Sequence, residues 1–252
     1  CDIESVQYSF QFDEALQQEW TWSERYAGQP ELLAYIKHVA DRFDLRKDIT
    51  LETRVESAQF DAENNQWSIT TTGADTRETV TARHLILGVG CLSTIEMPEF
   101  PDAQLFQGEV IHTARWPQVD IDLAGQRVGV IGTGSSGIQS IPLIAEQAEH
   151  LYVFQRTPNY VVPAQNRPIQ PDEAASIKET YGELRAAAWK SLSAFEFERN
   201  PGSVFDMDEA DRVANFEKYW GIGGLPFFGS FGDLLTNKAA NEVVIEWWKG
   251  KV

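Results

Sequence analysis

Downstream of Gln29-Pro30, apolar residues recur at helical spacing: Leu32, Leu33, Ile36, Val39, Ala40 and Phe43 fall on one stripe. Proline suits the first turn of a helix, because the N–H it lacks has no intrahelical partner there. The period then shortens. Thr50 to Phe60 alternates as a strand and Asn64-Asn65 reads as a turn. Gln66 to Thr72 reads as the returning strand of a hairpin and Thr79 to Ala82 as a third strand. Leu85 to Gly90 is a short apolar run closed by glycines, as a buried parallel strand would be. Met97-Pro98 and Phe100-Pro101 mark a loop. Arg127 to Ile131 and Leu151 to Phe154 are further buried strands, and the helix between them, Gly137 to Ala148, turns Ile138, Ile141, Ile144, Ala145 and Ala148 inward. This β-α-β unit implies a right-handed crossover. After Pro171 the strand pattern stops. Asp172 to Phe195 is helical, with Ile177, Tyr181, Leu184, Ala188, Leu192 and Phe195 on one face. Gly221 to Gly232 reads as a loop and Ala239 to Trp248 as a last helix. The fold class is α/β: a Rossmann-like chain with a helical insertion.

Composition narrows the partners. The formal net charge is −17, and no cluster of Lys and Arg offers the footprint that displaces counterions from a duplex. Nucleic acid and anionic membrane are therefore excluded as expected partners, and the surplus acid reads as a solvated surface. No run reaches the eighteen apolar residues of a membrane helix. Cys1 and Cys91 form no disulfide framework and suit a reducing cytoplasm. The four histidines, at 38, 84, 112 and 150, have no metal-ligand spacing. No obligate protein partner is evident. The chain opens on Cys-Asp-Ile-Glu-Ser, without Met, basic n-region or apolar h-region, which gives the expectation of an internal fragment.

The chemistry gathers in the β-α-β unit. Gly132-Thr133-Gly134-Ser135-Ser136-Gly137 follows a strand and opens a helix. The first glycine allows a tight turn, the second close approach of a pyrophosphate and the third close packing of helix on strand. Free N–H groups at the helix start favour an anion, and Ser135 and Ser136 add hydroxyls. A glycine turn that binds nothing is the plainer reading, and the strand–helix–strand context argues against it. The second strand runs into Gln155-Arg156-Thr157. An acidic residue there would suit the ribose hydroxyl of NAD, whereas Arg suits a 2′-phosphate. Arg156 and Thr157 thus point to NADPH, although Arg156 also reads as a plain surface arginine. Ahead of this unit lies a rigid connector, Phe106-x-Gly108-x-x-x-His112-x-x-x-Trp116-Pro117.

This connector resembles the F-x-G-x-x-x-H-x-x-x-W-P pattern of Baeyer–Villiger monooxygenases, a branch of the class B flavoprotein monooxygenases. The resemblance runs over essentially the whole chain. It also covers Cys1-Asp2-x-Glu4-Ser5, Gln18 to Tyr26, Gly132 to Gln139 and Phe154 to Tyr160. It implies a two-domain FAD- and NAD(P)-binding flavoprotein. Residues 1–113 would be the later part of the FAD domain with the linker, 114–170 the first half of the NADP domain, and 171–252 its helical insertion. The cofactors implied are FAD and NADPH, and the small-molecule partners are a ketone and O2. The product is an ester or lactone, formed by way of a C4a-peroxyflavin.

The same resemblance implies the site residues. Cys1 and Asp2 line the flavin and nicotinamide, and Asp2 orients a catalytic arginine; composition alone makes Asp2 an ordinary terminal residue. Tyr8 and Val55 contact FAD, Val55 through its backbone. Gly132, Thr133, Gly134, Ser135, Ser136, Gly137, Ile138 and Gln139 hold NADP. His112 and Trp116 couple domain motion to the NADP cycle; a lone histidine in a connector equally reads as a structural hydrogen-bonding residue. Trp20 and Trp22 shape the cofactor cleft, whereas Trp67, Trp247 and Trp248 read as packing residues. Gly88-Val89-Gly90 departs from the family's Ala-Thr-Gly, which removes a hydroxyl. No first glycine fingerprint precedes Gly132 and no Lys-Arg pair follows the insertion, so the chain alone is expected not to turn over. Two alternatives stay open: an N- or S-oxygenating flavin monooxygenase, and a non-catalytic NADP-binding module.

Overall fold

The structure, a computed structural model, describes residues 3–90, 92–191, 194–195 and 197–252. In chain order its elements are α1 (Glu14–Glu19), α2 (Gln29–Arg42), β1 (Arg54–Asp61), β2 (Gln66–Thr72), β3 (Arg77–Ala82), β4 (Arg127–Ile131), α3 (Ser135–Ala145), β5 (His150–Phe154), α4 (Pro171–Lys190), α5 (Glu209–Ile222) and α6 (Lys238–Lys249). Short 3-10 turns include Ser5–Tyr8, Thr113–Arg115 and Leu225–Gly229. The chain forms two compact units. One joins the residues up to Ile49 with Tyr160–Val252, and the other is Thr50–Asn159. These boundaries do not coincide with the expected divisions after residues 113 and 170.

The first unit is helical and holds two cores. Around Leu16, Trp22, Tyr35 and Val39 the early helices meet Tyr181 of α4. Around Phe216, Tyr219, Phe227 and Phe231 the later helices close on Ala240 and Val244 of α6. Rings dominate the second core: Phe216 stands edge-on to Phe231 at 5.3 Å and beside Trp247 at 5.2 Å. Asp13 caps α1 by accepting from the Leu16 N–H at 2.7 Å, and Asp208 caps α5 by accepting from the Asp211 N–H at 3.0 Å. Neither α1 nor α5 was expected as a separate helix. The expected face of α4 is also rotated. Tyr181 and Ala188 are buried, but Leu184 faces solvent and Arg185 is buried in its place. The helix ends at Lys190, where Ser191 turns to an extended conformation, rather than at Phe195. Leu192 lies outside the described residues.

The second unit carries both sheets. β1, β2 and β3 pair antiparallel in that order, so the expected hairpin and third strand are present. β4 and β5 pair parallel, with Val128 opposite Leu151 and Val130 opposite Val153, and α3 makes the crossover. Ile144 of α3 is buried as expected, while Ala145 is exposed. The expected strand at Leu85 to Gly90 does not form. Ile86, Leu87 and Val89 are exposed, at 89%, 72% and 71%. A parallel strand exists only through its neighbours' hydrogen bonds, and no described strand lies alongside this run. Among the described residues, all buried apolar side chains except Ile144 belong to the first unit.

Phe216→Ala empties the centre of the aromatic core and should cost about 3–5 kcal/mol of stability. Urea denaturation of the variant against wild type measures this, and a loss under about 1 kcal/mol would contradict the packing described.

Candidate functional site

At the end of β4 the chain turns through Gly132, whose φ of +99° is closed to most L side chains. Its N–H donates to the Phe154 carbonyl at 2.9 Å, tying the turn to the end of β5. α3 then starts under the turn. A Cβ on Gly137 would come within 2.5 Å of the Gly132 carbonyl oxygen, so helix and turn can lie this close only without a side chain there. Gly134, by contrast, faces open space: a Cβ would meet nothing within 4 Å. It is the N-cap of α3, and no side chain caps the helix. The first and third glycines therefore answer structural demands, and the second leaves room beside the helix N–H groups that have no intrahelical partner. This arrangement fits a pyrophosphate group.

Side chains hold the loop from the β5 end. Gln155 donates through Nε2 to Thr133 Oγ1 at 3.0 Å, and Asn159 donates through Nδ2 to the Thr133 carbonyl. Thr133 is buried by these contacts. Gln139 donates to the Ser135 carbonyl at 2.9 Å, which bends its amide back along the helix. Ile138 is half-buried and its N–H donates to the Gly134 carbonyl at 2.9 Å. Ser135 and Ser136 are exposed, as are Arg156 and Thr157, which directly follow Gln155 at the carboxyl end of β5. Because β4 and β5 are parallel, the glycine loop and Arg156-Thr157 leave the same end of the sheet.

The connector is locally ordered. His112 caps the turn Thr113–Arg115: its Nδ1 accepts from the Ala114 N–H at 3.2 Å, and its carbonyl accepts from the Arg115 N–H at 2.7 Å. The ring is thus engaged as a structural hydrogen-bonding group. Trp116 ends that turn, 43% exposed. A Cβ on Gly108 would displace the Phe106 ring, which explains the Phe-x-Gly spacing. Val55 sits on β1 where the register slips: Val55 pairs with Thr71 but Ser57 with Thr70, a bulge that breaks the ladder beside it. Backbone groups released from a ladder can bind a ligand.

Tyr8 belongs to the other unit. It ends the turn Ser5–Tyr8, is 37% exposed and rims an open cleft with Phe10, Leu32, Tyr35 and Ile36. Cys1 and Asp2 lie outside the described residues. Trp20 and Trp22 pack with Tyr35 in the core, and Trp22 Nε1 donates to Ser9 Oγ at 2.9 Å. Sequence reasoning missed the anchors of this turn. Ser5 is fully buried and donates to the carbonyls of Glu24 and Arg25, while its Oγ accepts from the Ala27 N–H at 2.7 Å. Arg185 reaches in from α4, and burial lowers its guanidinium pKa below the ordinary value. A charged residue four positions after Tyr181 and three before Ala188, on an otherwise apolar face, was the available signal.

Residues 19–195 match the model of the FMO-like family, described as flavin-binding monooxygenase-like. The chain belongs to this family. It is 40% identical to a phenazine N-monooxygenase of Lysobacter antibioticus and 39% identical to a Baeyer–Villiger monooxygenase of Pseudooceanicola batsensis; each match covers 100% of this chain and 46% of the relative. A solved oxidized steroid monooxygenase bound to NADP superposes with a TM-score of 0.92 at 48% identity, over 100% of this chain and 47% of that one. The chain thus spans a little under half the length of these relatives.

Gly137→Ala should cost about 1–3 kcal/mol, since the new methyl forces α3 off the turn. The same substitution at Gly182, exposed within α4 with nothing inside 4 Å, should add about 0.5–1 kcal/mol of stability. Denaturant midpoints of the two variants check the opposite signs.

Proposed function

We propose that this chain is part of an FAD- and NADPH-dependent monooxygenase that converts ketones to esters or lactones with O2. The observation that carries the reading is the open, uncapped cradle at Gly134, with Arg156 and Thr157 leaving the same end of the sheet. In this reading the N–H groups at the start of α3, from Ser135 to Gly137, hold the pyrophosphate of NADPH, with Gly132, Thr133 and Gly134 shaping the turn beside it and Ile138 and Gln139 completing the first helical turn. Ser135 and Ser136 add hydroxyl donors. Arg156 grips the 2′-phosphate through two parallel N–H bonds and Thr157 assists. The bound NADP in the steroid monooxygenase structure supports this assignment.

For FAD, the residues at hand are Tyr8, Cys1 and Asp2, together with the backbone of Val55 at the bulge. FAD, when bound, supplies the oxygen-activating chemistry, and the protein orients the reactants and excludes water. Asp2 orients the nicotinamide and a catalytic arginine. His112 holds the connector turn and Trp116 stiffens it, so both act on domain motion and neither transfers a proton to substrate. By cofactor, residues 1–113 fall in the FAD domain, 114–170 in the NADP domain and 171–252 in its helical insertion. Among the described residues no helix is long and apolar enough to cross a membrane. The cysteine usage favours the cytoplasm.

Ketone oxidation is favoured by the Trp116-Pro117 end of the connector and by likeness to a Baeyer–Villiger monooxygenase and to the acetone monooxygenase (methyl acetate-forming) of Gordonia sp., 39% identical. A second reading, oxidation at nitrogen, draws on the likeness to phenazine N-monooxygenase. The full-length protein that contains this chain, given NADPH, O2 and either cyclohexanone or phenazine, separates them by product mass. Lactone is the expected product; phenazine N-oxide without lactone would move the protein to the second reading. Arg156→Ala should raise the KM for NADPH about tenfold or more and leave that for NADH nearly unchanged. Equal effects on both coenzymes would refute the 2′-phosphate assignment.

A further inference from the structure

We infer that Arg185 of α4 is a positioning residue for the flavin, acting through the turn Ser5–Tyr8 and the two residues after it. Arg185 is 9% exposed. One terminal nitrogen donates to two backbone carbonyls of this segment, Val6 at 2.8 Å and Ser9 at 2.9 Å. The other donates to the Gln7 side-chain oxygen at 3.2 Å. The guanidinium lies over the Tyr181 ring, 5.4 Å from its centre. All these partners are neutral. The Nε–H is buried with no hydrogen-bond partner among the described residues.

A buried cation held by neutral groups is costly, and an apolar side chain of similar volume generally gives a more stable core. What the guanidinium adds is geometry. The Val6 carbonyl accepts the Ser9 N–H at 3.3 Å and takes the guanidinium as a second donor, and a planar fork of fixed shape holds it together with the Ser9 carbonyl and the Gln7 side chain. The rest of the segment is tied as closely. Ser9 Oγ lies 3.2 Å from the Tyr181 hydroxyl, and the Phe10 N–H donates to the Tyr35 hydroxyl at 2.8 Å. Tyr8, between the bonded residues 7 and 9, keeps its ring at the surface because its neighbours are pinned on the inner side. α4 thereby sets the direction in which Tyr8 points.

This inference rests on the reading that Tyr8 borders FAD. It is tested on the full-length protein with two variants, Arg185→Leu and Arg185→Lys. Amide exchange of residues 5–10 is followed by mass spectrometry, and FAD and NADPH dissociation constants are measured separately. Arg185→Leu should speed exchange of residues 5–10 about tenfold or more while residues of α5 and α6 stay protected. FAD binding should weaken by about the same factor, with NADPH binding within about twofold of wild type. Lys, which keeps the charge without the fork, should fall between Leu and wild type in both measurements. If the Leu variant is unfolded, the Lys variant alone is read for the same local pattern. Unchanged exchange at residues 5–10, or faster exchange spread evenly over the first unit in both variants, would overturn the role of Arg185. Local loosening with FAD affinity unchanged would overturn the link to the flavin. Failure of the wild type to bind FAD would instead remove the flavoprotein reading itself, whatever the exchange data give.

Discussion

Two short stretches lying 140 positions apart, around Tyr26 and around Asn166, are laced together, and the first unit depends on this lacing. The Arg25 N–H donates to the Arg167 carbonyl at 2.9 Å, and the Ile169 N–H donates to the Ser23 carbonyl at 2.9 Å. Asn166 completes the seam by accepting from the Tyr26 N–H at 2.8 Å and donating to the Tyr26 carbonyl at 3.2 Å. The seam brings α4 to the early part of the chain, which lets Tyr181 complete the core around Leu16 and Tyr35. The whole second unit is a loop between its two halves. Closing so long a loop costs only slightly more than closing a shorter one, because the entropy grows with the logarithm of length. A large sheet-bearing unit can therefore interrupt a helical one at small thermodynamic cost.

Elements defined by local pattern were legible in the sequence. α2 shows a stripe, a proline at its start and no competing period. β2 and β4 occupy the expected residues because alternation and apolar runs are local signals. Elements whose existence depends on neighbours were not legible. Leu85 to Gly90 has the composition of a buried strand, yet composition cannot supply the adjacent strand that would hold it. α5 was missed for another reason. The stretch from Pro171 onward reads as generally helical, so the Asp208 cap was the one local mark of a new start. On α4 the spacing that pointed to Leu184 fits Arg185 almost as well, and only the carbonyls of Val6 and Ser9 decide which side chain turns inward.

The candidate site divides along the same line. The glycine loop is contiguous, so each glycine could be given a separate task from spacing alone, and the contacts around Gly132 and Gly137 agree with those tasks. The residues that brace the loop, Gln155 and Asn159, carry no motif and emerge only from the fold. Val55 shows the limit of reading side chains. Its relevance lies in a register slip, a property of the pairing of β1 with β2 and not of valine. His112 was open to two readings from sequence. Its ring accepts from the Ala114 N–H, a contact between near neighbours in the chain that neither reading named.

The bare cap at Gly134 has a consequence for anyone redesigning this protein. A helix that starts on glycine is an obvious target for stabilisation, since Ser, Asp or Asn at that position usually accepts a bond from the first turn and adds a few tenths of a kcal/mol. The space above Gly134 would accommodate any of them. Yet the new oxygen would bond the same N–H groups that the proposed phosphate needs, and an aspartate would also repel it. Selecting variants for thermal resistance alone would thus draw this loop toward a sturdier helix that had capped itself with its own side chain, in direct competition with the coenzyme.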